Sequence, residues 1–315
     1  MKVLVVGANG FVGRHVIDAL MASGTAEPVC GVRKARPGAA PVRLLDATDP
    51  ASAMAAVEGM QGVVNCVLGS PDTMIRSTEA LIAAALHHGA RRFVHLSSIA
   101  VYGSREGMID EQSPQGEGVN AYGEAKIRCE QLVRAAQARG LETVILRPGL
   151  VCGPESHPWT LRIGRLLRQR RLGDLGAQGD GYANLIAVED VAEAIARALV
   201  SRPSGRSYNL AMPDPPRWNR YLLDLAKGLG ATPVHRVPGY QLKVESRLAM
   251  LPLKAAERLI GSRPWLPEAI TPSLARLFGS DIRFSPAATD ADLGFVRTGY
   301  EAIMARSINW LRTVR

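Results

Sequence analysis

A glycine-rich turn near the start of the chain constrains the fold more than any other feature of the sequence. Residues 2–6, KVLVV, form a short apolar run rich in β-branched side chains, which predicts a buried strand. Glycines follow in G-x-x-G-x-x-G spacing, and apolar residues then recur at helical intervals. A strand that turns into a helix in this way offers free N–H groups and a positive dipole end to a pyrophosphate, although an ordinary strand–helix turn is the alternative. The residues expected to contact a dinucleotide here are Gly7, Asn9, Gly10, Phe11, Val12, Gly13 and Arg14.

Composition limits the classes of protein that the chain can represent. Hydrophobic residues make up 47% of the 315 residues, and no apolar run is long enough for a membrane span. The formal charge of +9 favours anionic small molecules, but the basic residues are dispersed and aromatic residues make up only 5%, so we expect no nucleic-acid partner. Four scattered cysteines without C-x-x-C spacing predict neither disulfides nor a zinc site. With a strand beginning at residue 2 and no room for a signal peptide, we expect a cytoplasmic protein.

Strand and helix patterns alternate through the first half, which predicts a parallel sheet with helices on both faces. Further strands are predicted at 29–32, 42–45, 62–67, 92–98, 142–147, 184–188 and 207–210. Helices are predicted at 73–88, 161–172, 217–229, 240–260 and 300–311. One further helix is predicted to begin near residue 50, and another to end near residue 139. The strand at 184–188 is expected to return to the main domain. The fold class is therefore α/β, a Rossmann-type doubly wound parallel sheet with a smaller C-terminal substrate-binding lobe.

The end of the second predicted strand bears on the choice of coenzyme. Arg33 follows this strand at once, and no acidic residue occurs between Gly31 and Pro41. In a sheet of this kind the position lies beside the adenosine ribose, where a carboxylate binds the 2′-hydroxyl and an arginine suits a 2′-phosphate. We therefore expect NADP(H), with NAD(H) as the other possibility and Arg14 as a second phosphate contact. A solvated basic loop is the alternative interpretation of Arg33.

A short acidic segment ends the third predicted strand. Asp46 and Ala47 lie where an acidic side chain can accept a hydrogen bond from the adenine amino group. Asp46 can equally cap the helix that starts near Pro50.

Two polar motifs accompany the fifth predicted strand, 92–98. The strand ends in Ser97 and Ser98, and catalytic side chains collect at the carboxyl ends of strands in open parallel sheets. Tyr122 and Lys126 then lie four residues apart and share one helix face, although Y-x-x-x-K alone is also common on ordinary helices. A nearby ammonium favours the phenolate, so we expect Lys126 to lower the pKa of Tyr122 from about 10. Tyr122 can then exchange a proton with a substrate oxygen during hydride transfer, while Ser98 donates a hydrogen bond to that oxygen.

Five motifs in chain order, GANGFVG, LSSIAVYG, YGEAK, LRPGLVCGP and LIAVEDVAEAI, resemble the extended short-chain dehydrogenase/reductase family, the NAD(P)-dependent epimerase/dehydratase superfamily. The resemblance covers the chain to about residue 210 and is weak thereafter. It implies a catalytic centre of Ser98, Tyr122 and Lys126, with Ser98 preferred to Ser97 because it lies four residues before Tyr102.

The same resemblance implies further contacts with the coenzyme. The segment 148–151, with Pro148 and Val151, passes the nicotinamide ring and begins the substrate lobe in this family. Lys126 is in reach of the nicotinamide ribose. The family often forms homodimers through helices that flank the sheet, so a homodimer is a further expectation.

One departure from the sugar-nucleotide enzymes bears on the reaction. When the sequence is aligned on IAVEDVA, Ala183 stands where nucleotide-sugar epimerases commonly have an arginine that binds the substrate pyrophosphate. A diphosphate therefore loses a bidentate partner here. The segment 148–151 looks more like the 3β-hydroxysteroid dehydrogenase and dihydroflavonol reductase branches. We therefore expect an oxidoreductase that interconverts a ketone or aldehyde with an alcohol on a modestly apolar small molecule. The alternatives are a nucleotide-sugar epimerase or dehydratase and a non-catalytic NADP-binding sensor.

We divide the chain into an NADP-binding domain, 1–155 plus about 184–211, and a substrate-binding lobe, 156–183 plus 212–315. In the lobe, most arginines of the helix 161–172 are expected in solvent, with an anionic substrate handle as the alternative. An apolar group around prolines is expected to close the core of the lobe, or else to line a lipophilic pocket; it comprises Leu251, Leu253, Leu259, Ile260, Trp265 and Leu266.

Overall fold

Seven parallel strands form the central sheet of the computed structural model, which describes residues 1–38, 40–249 and 268–314. In chain order they are β1 Lys2–Val6, β2 Glu27–Val32, β3 Val42–Leu44, β4 Gly62–Asn65, β5 Arg92–Leu96, β7 Glu142–Pro148 and β10 Arg206–Leu210. The spatial order is β3-β2-β1-β4-β5-β7-β10, in which the chain reverses direction across the sheet between β1 and β4. This arrangement confirms the predicted doubly wound α/β fold, and it places a crevice at the carboxyl ends of β1 and β4.

Four shorter strands form two parallel pairs outside this sheet: β6 Gly107–Ile109 with β11 Ile282–Phe284, and β8 Leu150–Cys152 with β9 Leu185–Ala187. The helices are α1 Phe11–Ser23, α2 Pro50–Val57, α3 Pro71–His87, α4 Ala121–Gln137, α5 Arg162–Arg168, α6 Val188–Val200, α7 Trp218–Gly228, α8 Gly239–Val244, α9 Pro272–Phe278, α10 Ala287–Asp292 and α11 Tyr300–Thr313. Single 3₁₀ turns occur at Ile99–Tyr102 and Gly176–Gly179, and π-helical turns at His157–Leu161 and Glu245–Ala249.

Apart from the edge strand β3, the strands of the central sheet are largely buried on both faces because helices cover both. Val5 and Val94 point to the face packed by α1 and α6, whereas Leu4 and Phe93 point to the face packed by α2, α3 and α4. Alternate residues of one strand thus enter two different cores, which explains why these strands are apolar runs without a polar alternation.

A third apolar core lies around the fully buried Trp218 at the start of α7. The rings of Trp159, Tyr221 and Phe278 lie 6.2, 5.9 and 4.9 Å from that of Trp218. These residues come from segments assigned to the substrate-binding lobe, although the domain boundaries themselves stay a prediction.

Several predicted elements differ from the structure. The strand predicted at 184–188 does not join the main sheet, because Leu185–Ala187 pairs with Leu150–Cys152 instead. The arginine-rich helix is shorter than 161–172, since the regular helix spans only Arg162–Arg168. The strand predicted at 92–98 ends at Leu96, and the strand predicted at 62–67 ends at Asn65.

The predicted helix 240–260 is described only to residue 249, where it consists of α8 and a π-helical turn. The apolar group predicted between Leu251 and Leu266 lies outside the described residues. Within the described ranges, none of the helices combines the length and the apolar character that a membrane crossing requires.

Candidate active site

The glycine turn between β1 and α1 has the geometry of a phosphate cradle. Gly7 adopts a φ of +83°, and a Cβ there would lie 2.9 Å from the carbonyl oxygen of Cys66. A Cβ on Gly13 would lie 2.3 Å from the carbonyl oxygen of Gly7, so only glycine lets the first turn of α1 approach the loop this closely. Gly10 caps α1 without a side-chain hydrogen bond, and the first turn carries no acidic residue. These features fit a bound pyrophosphate.

The neighbours of the glycines connect this turn to other parts of the site. The side-chain amide of Asn9 donates a hydrogen bond to the carbonyl oxygen of Lys34, 2.8 Å away, and so ties the turn to the loop after β2. Arg14 forms an ion pair with Glu155, which follows β8, at 2.5 Å. Arg14 therefore already has a carboxylate partner, and its role in binding a 2′-phosphate stays a prediction.

The loop after β2 carries the residue expected to select the coenzyme. Arg33 is exposed and makes no hydrogen bond or ion pair within the described part of the chain. The pKa of Asp46 is lowered, chiefly by hydrogen bonds from Thr48 and to a smaller degree by the charge of Arg33. The guanidinium of Arg33 therefore lies close enough to the carboxylate of Asp46 for its charge to favour the ionised form of that carboxylate. The expected contacts of Arg33, Asp46 and Ala47 with a nucleotide stay predictions.

The interpretation of Asp46 as the cap of α2 is wrong. Asp49 is the cap, and its carboxylate accepts hydrogen bonds from the N–H groups of Ala51 and Ser52. Asp46 instead accepts from the N–H and the hydroxyl of Thr48, at 3.0 and 2.7 Å.

The three predicted catalytic residues converge at the end of β5. Ser98 caps the 3₁₀ turn that follows and accepts a hydrogen bond from the N–H of Ala100 at 3.1 Å, which leaves its own hydroxyl proton free to donate. The hydroxyl of Ser98 lies beside the phenol of Tyr122, close enough to lower the pKa of that phenol. Nζ of Lys126 lies 5.9 Å from the ring centre of Tyr122 and donates to the carbonyl oxygen of Leu96 at 2.7 Å. The arrangement suits a substrate oxygen held between a hydroxyl and a phenol.

The expected lowering of the pKa of Tyr122 is wrong, because this pKa is raised. Burial raises the pKa of Tyr122, and the hydrogen bond from Ser98 only partly offsets this. The partly buried ring packs against the cluster of Met74, Ala125 and Cys129, which removes water from around the phenol. Burial also lowers the pKa of Lys126, whose ammonium is directed to a backbone carbonyl. Without a ligand in the site, Tyr122 is therefore a protonated phenol at neutral pH.

The predicted nicotinamide segment runs from the end of β7 into β8. Pro148 is the last, buried residue of β7 and pairs with Leu210 of β10. Val151 is half-buried in β8, and its carbonyl oxygen accepts a hydrogen bond from the hydroxyl of Ser156 at 2.7 Å. The contacts of both residues with the nicotinamide stay predictions.

Ala183, the residue predicted to stand at the position of the epimerase arginine, has apolar and aromatic neighbours. Ala183 is fully buried in the core around Trp218. The preceding residue, Tyr182, has two guanidinium groups over its ring, those of Arg217 at 3.8 Å and Arg283 at 5.0 Å.

The arginines of the 161–172 segment are not mainly solvated, which corrects the expectation from the sequence. Their side chains bind backbone carbonyls or glutamates; the residues concerned are Arg162, Arg165, Arg168 and Arg171.

A buried polar network behind the predicted catalytic residues did not follow from the sequence. Glu130 forms a two-pronged ion pair with Arg147, at 2.9 and 2.7 Å, and accepts from the hydroxyl of Ser97 at 2.7 Å. Arg147 also donates to the hydroxyl of Tyr102 at 2.6 Å. One feature of the sequence does indicate this network. Glu130 lies four residues after Lys126, so it shares the helix face of Tyr122 and Lys126.

The fold and the predicted site together are typical of Rossmann-fold enzymes that bind a nicotinamide dinucleotide. More specifically, the chain belongs to the NAD dependent epimerase/dehydratase family of enzymes, whose sequence model matches residues 3–211. The resemblance recognised in the sequence is thereby confirmed.

Similar proteins include reductases and an epimerase. The 2-alkyl-3-oxoalkanoate reductase of Stenotrophomonas maltophilia (strain K279a) is 28% identical over 267 residues, covering 76% of this chain and 79% of that protein. The 4-hydroxy-2-methyl-3-oxo-4-farnesyl-3,4-dihydroquinoline-1-oxide ketoreductase of Stigmatella aurantiaca is 24% identical over 322 residues, covering 94% and 92%. The crystal structure of the UDP-glucose 4-epimerase of Thermus thermophilus in complex with NAD has a TM-score of 0.74, 19% identity and full coverage of both chains, which shows a shared fold.

Proposed function

We propose that this protein reduces a ketone or aldehyde on a modestly apolar small molecule, with NADPH as the preferred coenzyme and Tyr122 as the proton donor. The observation that carries the proposal is the state of Tyr122, a partly buried phenol beside Ser98 whose pKa is raised by that burial. A phenol that stays protonated at neutral pH is an acid, and reduction of a carbonyl needs an acid at the oxygen.

The residues act on the carbonyl oxygen while the coenzyme acts on the carbon. NADPH, when bound, supplies the hydride that forms the new C–H bond. The π electrons of the carbonyl move onto its oxygen, which accepts hydrogen bonds from Ser98 and Tyr122 and takes the phenolic proton to become the alcohol. The negative charge left on Tyr122 is stabilised by the ammonium of Lys126, and a proton from solvent restores the phenol. The reverse sequence oxidises an alcohol.

The preference for NADPH rests on the loop after β2. Arg33 presents an exposed guanidinium directly after the strand whose end lies beside the adenosine ribose in sheets of this order. A guanidinium binds a phosphate through two parallel hydrogen bonds, which a ribose hydroxyl cannot match. The neighbouring carboxylate of Asp46 can accept from the adenine amino group at the same edge.

The substrate class rests on two further observations. Both long-coverage relatives described above are named as reductases of oxo compounds. The position at which nucleotide-sugar epimerases carry a pyrophosphate-binding arginine is the buried Ala183. We assign selection of the substrate to the lobe 156–183 plus 212–315, whose core surrounds Trp218.

A second candidate is a nucleotide-sugar epimerase with unusual diphosphate contacts. It is favoured by the two arginines stacked on Tyr182, which place positive charge one residue before Ala183. A diphosphate bound there would find cationic partners from different positions of the chain.

Two parallel incubations separate the candidates. The purified protein is mixed with NADPH and a panel of ketones and aldehydes, including 3-oxoacids, and NADPH loss is followed at 340 nm. It is separately mixed with UDP- and dTDP-sugars and NAD, and the products are separated by chromatography. We expect NADPH consumption only with carbonyl compounds and only when Tyr122 is present. Sugar conversion without net consumption of coenzyme would contradict the reductase proposal, and the Tyr122→Phe variant serves as the blank for both reactions.

A further inference from the structure

Helix α4 and the end of β5 contact each other at three successive points. Three side chains spaced four residues apart on α4 contact three consecutive residues of the chain: Tyr122 contacts Ser98, Lys126 contacts the carbonyl oxygen of Leu96, and Glu130 contacts Ser97. Two of these contacts belong to the proposed catalytic centre. The third, between Ser97 and Glu130, touches no reacting group and needs another explanation.

Glu130 is held more firmly than a surface carboxylate. Its side chain is 1% exposed, and both oxygens are engaged: one accepts from Ser97 and Nε of Arg147, the other from Nη2 of Arg147 and the amide of Gln115. These hydrogen bonds lower the pKa of Glu130 in spite of its burial. The carboxylate is therefore a fixed anchor for the hydroxyl of Ser97.

Arg147 extends the anchor to the other side of the site. This guanidinium, also 1% exposed, donates to the hydroxyl of Tyr102, which in turn donates to Asn209 at 2.8 Å. Tyr102 ends the 3₁₀ turn that Ser98 begins. The peptide that carries Ser98 is thus held at both ends by one network, through Ser97 before it and through Tyr102 after it.

Stability alone does not explain such a network. A buried ion pair contributes little more than well-packed apolar side chains of the same volume, because desolvation of the charges offsets their attraction. What directed hydrogen bonds add is a single register between the elements that they join. Here those elements are β5, α4, β7 and the turn after Ser98, which together set the separation of Ser98 and Tyr122.

We propose that Glu130, backed by Arg147, is a positioning residue that acts through Ser97 to hold Ser98 in register with Tyr122. This inference rests on the proposed function, since it concerns the geometry in which a carbonyl oxygen is bound between the two hydroxyl groups.

The Ser97→Ala variant tests the inference because it removes the link and leaves the Glu130–Arg147 ion pair intact. We expect kcat for carbonyl reduction to fall about 10-fold, in line with the cost of small displacements in an active site. The Kd of NADPH, measured by fluorescence titration, is expected to stay within about twofold. The Ser97→Thr variant keeps the hydroxyl and is expected to retain kcat.

A matched control separates positioning from a general loss of stability. Ser77 of α3 is another fully buried serine with one hydrogen bond, to the carbonyl oxygen of Met74, and Ser77→Ala is expected to leave kcat unchanged. If Ser97→Ala fails to fold, Tyr102→Phe releases the other end of the network without touching the ion pair, and a kcat decrease of about threefold is expected.

A crystal structure of Ser97→Ala with NADPH decides the inference without turnover. We expect the hydroxyl groups of Ser98 and Tyr122 to lie farther apart in it than in the wild type. An unchanged Ser98–Tyr122 contact, or full kcat in both Ser97→Ala and Tyr102→Phe, would overturn the positioning role. If the wild-type protein reduces no carbonyl compound at all, the proposed function fails, while this structural comparison still decides whether Ser97 positions Ser98.

Discussion

Acid should destabilise this protein through one buried histidine before most of its carboxylates titrate. His95 of β5 is 2% exposed and, two residues after Phe93, points to the same face of the sheet, which α2, α3 and α4 cover. Its Nδ1 is 3.4 Å from the side-chain amide of Asn65, and within the described residues its Nε2 has no hydrogen-bond partner. Burial, followed by the charge of Lys126, lowers the pKa of His95 to about 3, although Glu130 acts in the opposite direction.

The sign and size of the effect follow from linkage. The folded protein keeps His95 neutral, whereas the unfolded chain binds a proton as the pH falls below about 6.5. Stability is therefore complete near pH 7 and is lost as the pH falls from about 6.5 toward the folded pKa of about 3. At pH 5 the loss amounts to about 2 kcal/mol, a value that is set by the unfolded pKa as long as the folded one lies well below 5.

Urea denaturation at pH 7 and pH 5, followed by circular dichroism, measures this loss. The His95→Leu variant has no proton to bind, so the wild type is expected to lose about 2 kcal/mol more than this variant between the two pH values. His87→Leu replaces an exposed histidine at the end of α3 and is expected to follow the wild type. Equal losses in wild type and His95→Leu would refute the reasoning, since the buried imidazole would then titrate alike in both states.

Four further outcomes are expected. Tyr122→Phe removes the proton donor and should lower kcat at least about 100-fold with little change in NADPH binding, measured by steady-state kinetics and fluorescence titration; activity above about a tenth of wild type would contradict the assignment. Because the pKa of Tyr122 is raised, reduction should stay constant through neutral pH and decline only above the ordinary phenol value of about 10, whereas alcohol oxidation should rise with pH over the same range; a decline near pH 7 would show that another group donates the proton. Arg33→Glu should raise the KM for NADPH at least about 10-fold and leave that for NADH within about threefold, and a parallel change in both would remove Arg33 from the 2′-phosphate site. Gly13→Ala forces a Cβ to within 2.3 Å of the carbonyl oxygen of Gly7 and should abolish retention of the coenzyme in equilibrium dialysis, whereas unaltered retention would show that the turn can relax.

The parts of the site that were predictable from the sequence are those set by neighbours along the chain. Gly7 and Gly13 are close in sequence, and their spacing already predicts a tight turn. In this turn the start of the helix packs directly against the loop, which leaves no space for a Cβ at Gly13. The four-residue spacing of Tyr122 and Lys126 places them on one helix face regardless of what packs against it.

Contacts between distant segments were not predictable in this way. The strands β6 and β11, which pair with each other, are three-residue segments at Gly107–Ile109 and Ile282–Phe284. The strand Leu185–Ala187 pairs with β8 and therefore does not belong to the main sheet. Strands this short carry no period of their own, so their partners depend on how the larger elements pack.

The succession of strands and helices in the first half of the chain, the glycine-rich turn and the identity of the polar residues at the candidate site were determined by the sequence alone, because each depends on local periodicity or on side-chain chemistry. The raised pKa of Tyr122 was decided by the tertiary structure, since packing against the cluster that contains Met74 of another helix buries the phenol. The anchoring of Glu130 by Arg147 was decided there as well. Burial and dielectric are properties of the whole packed chain, and no spacing of residues along a sequence records them.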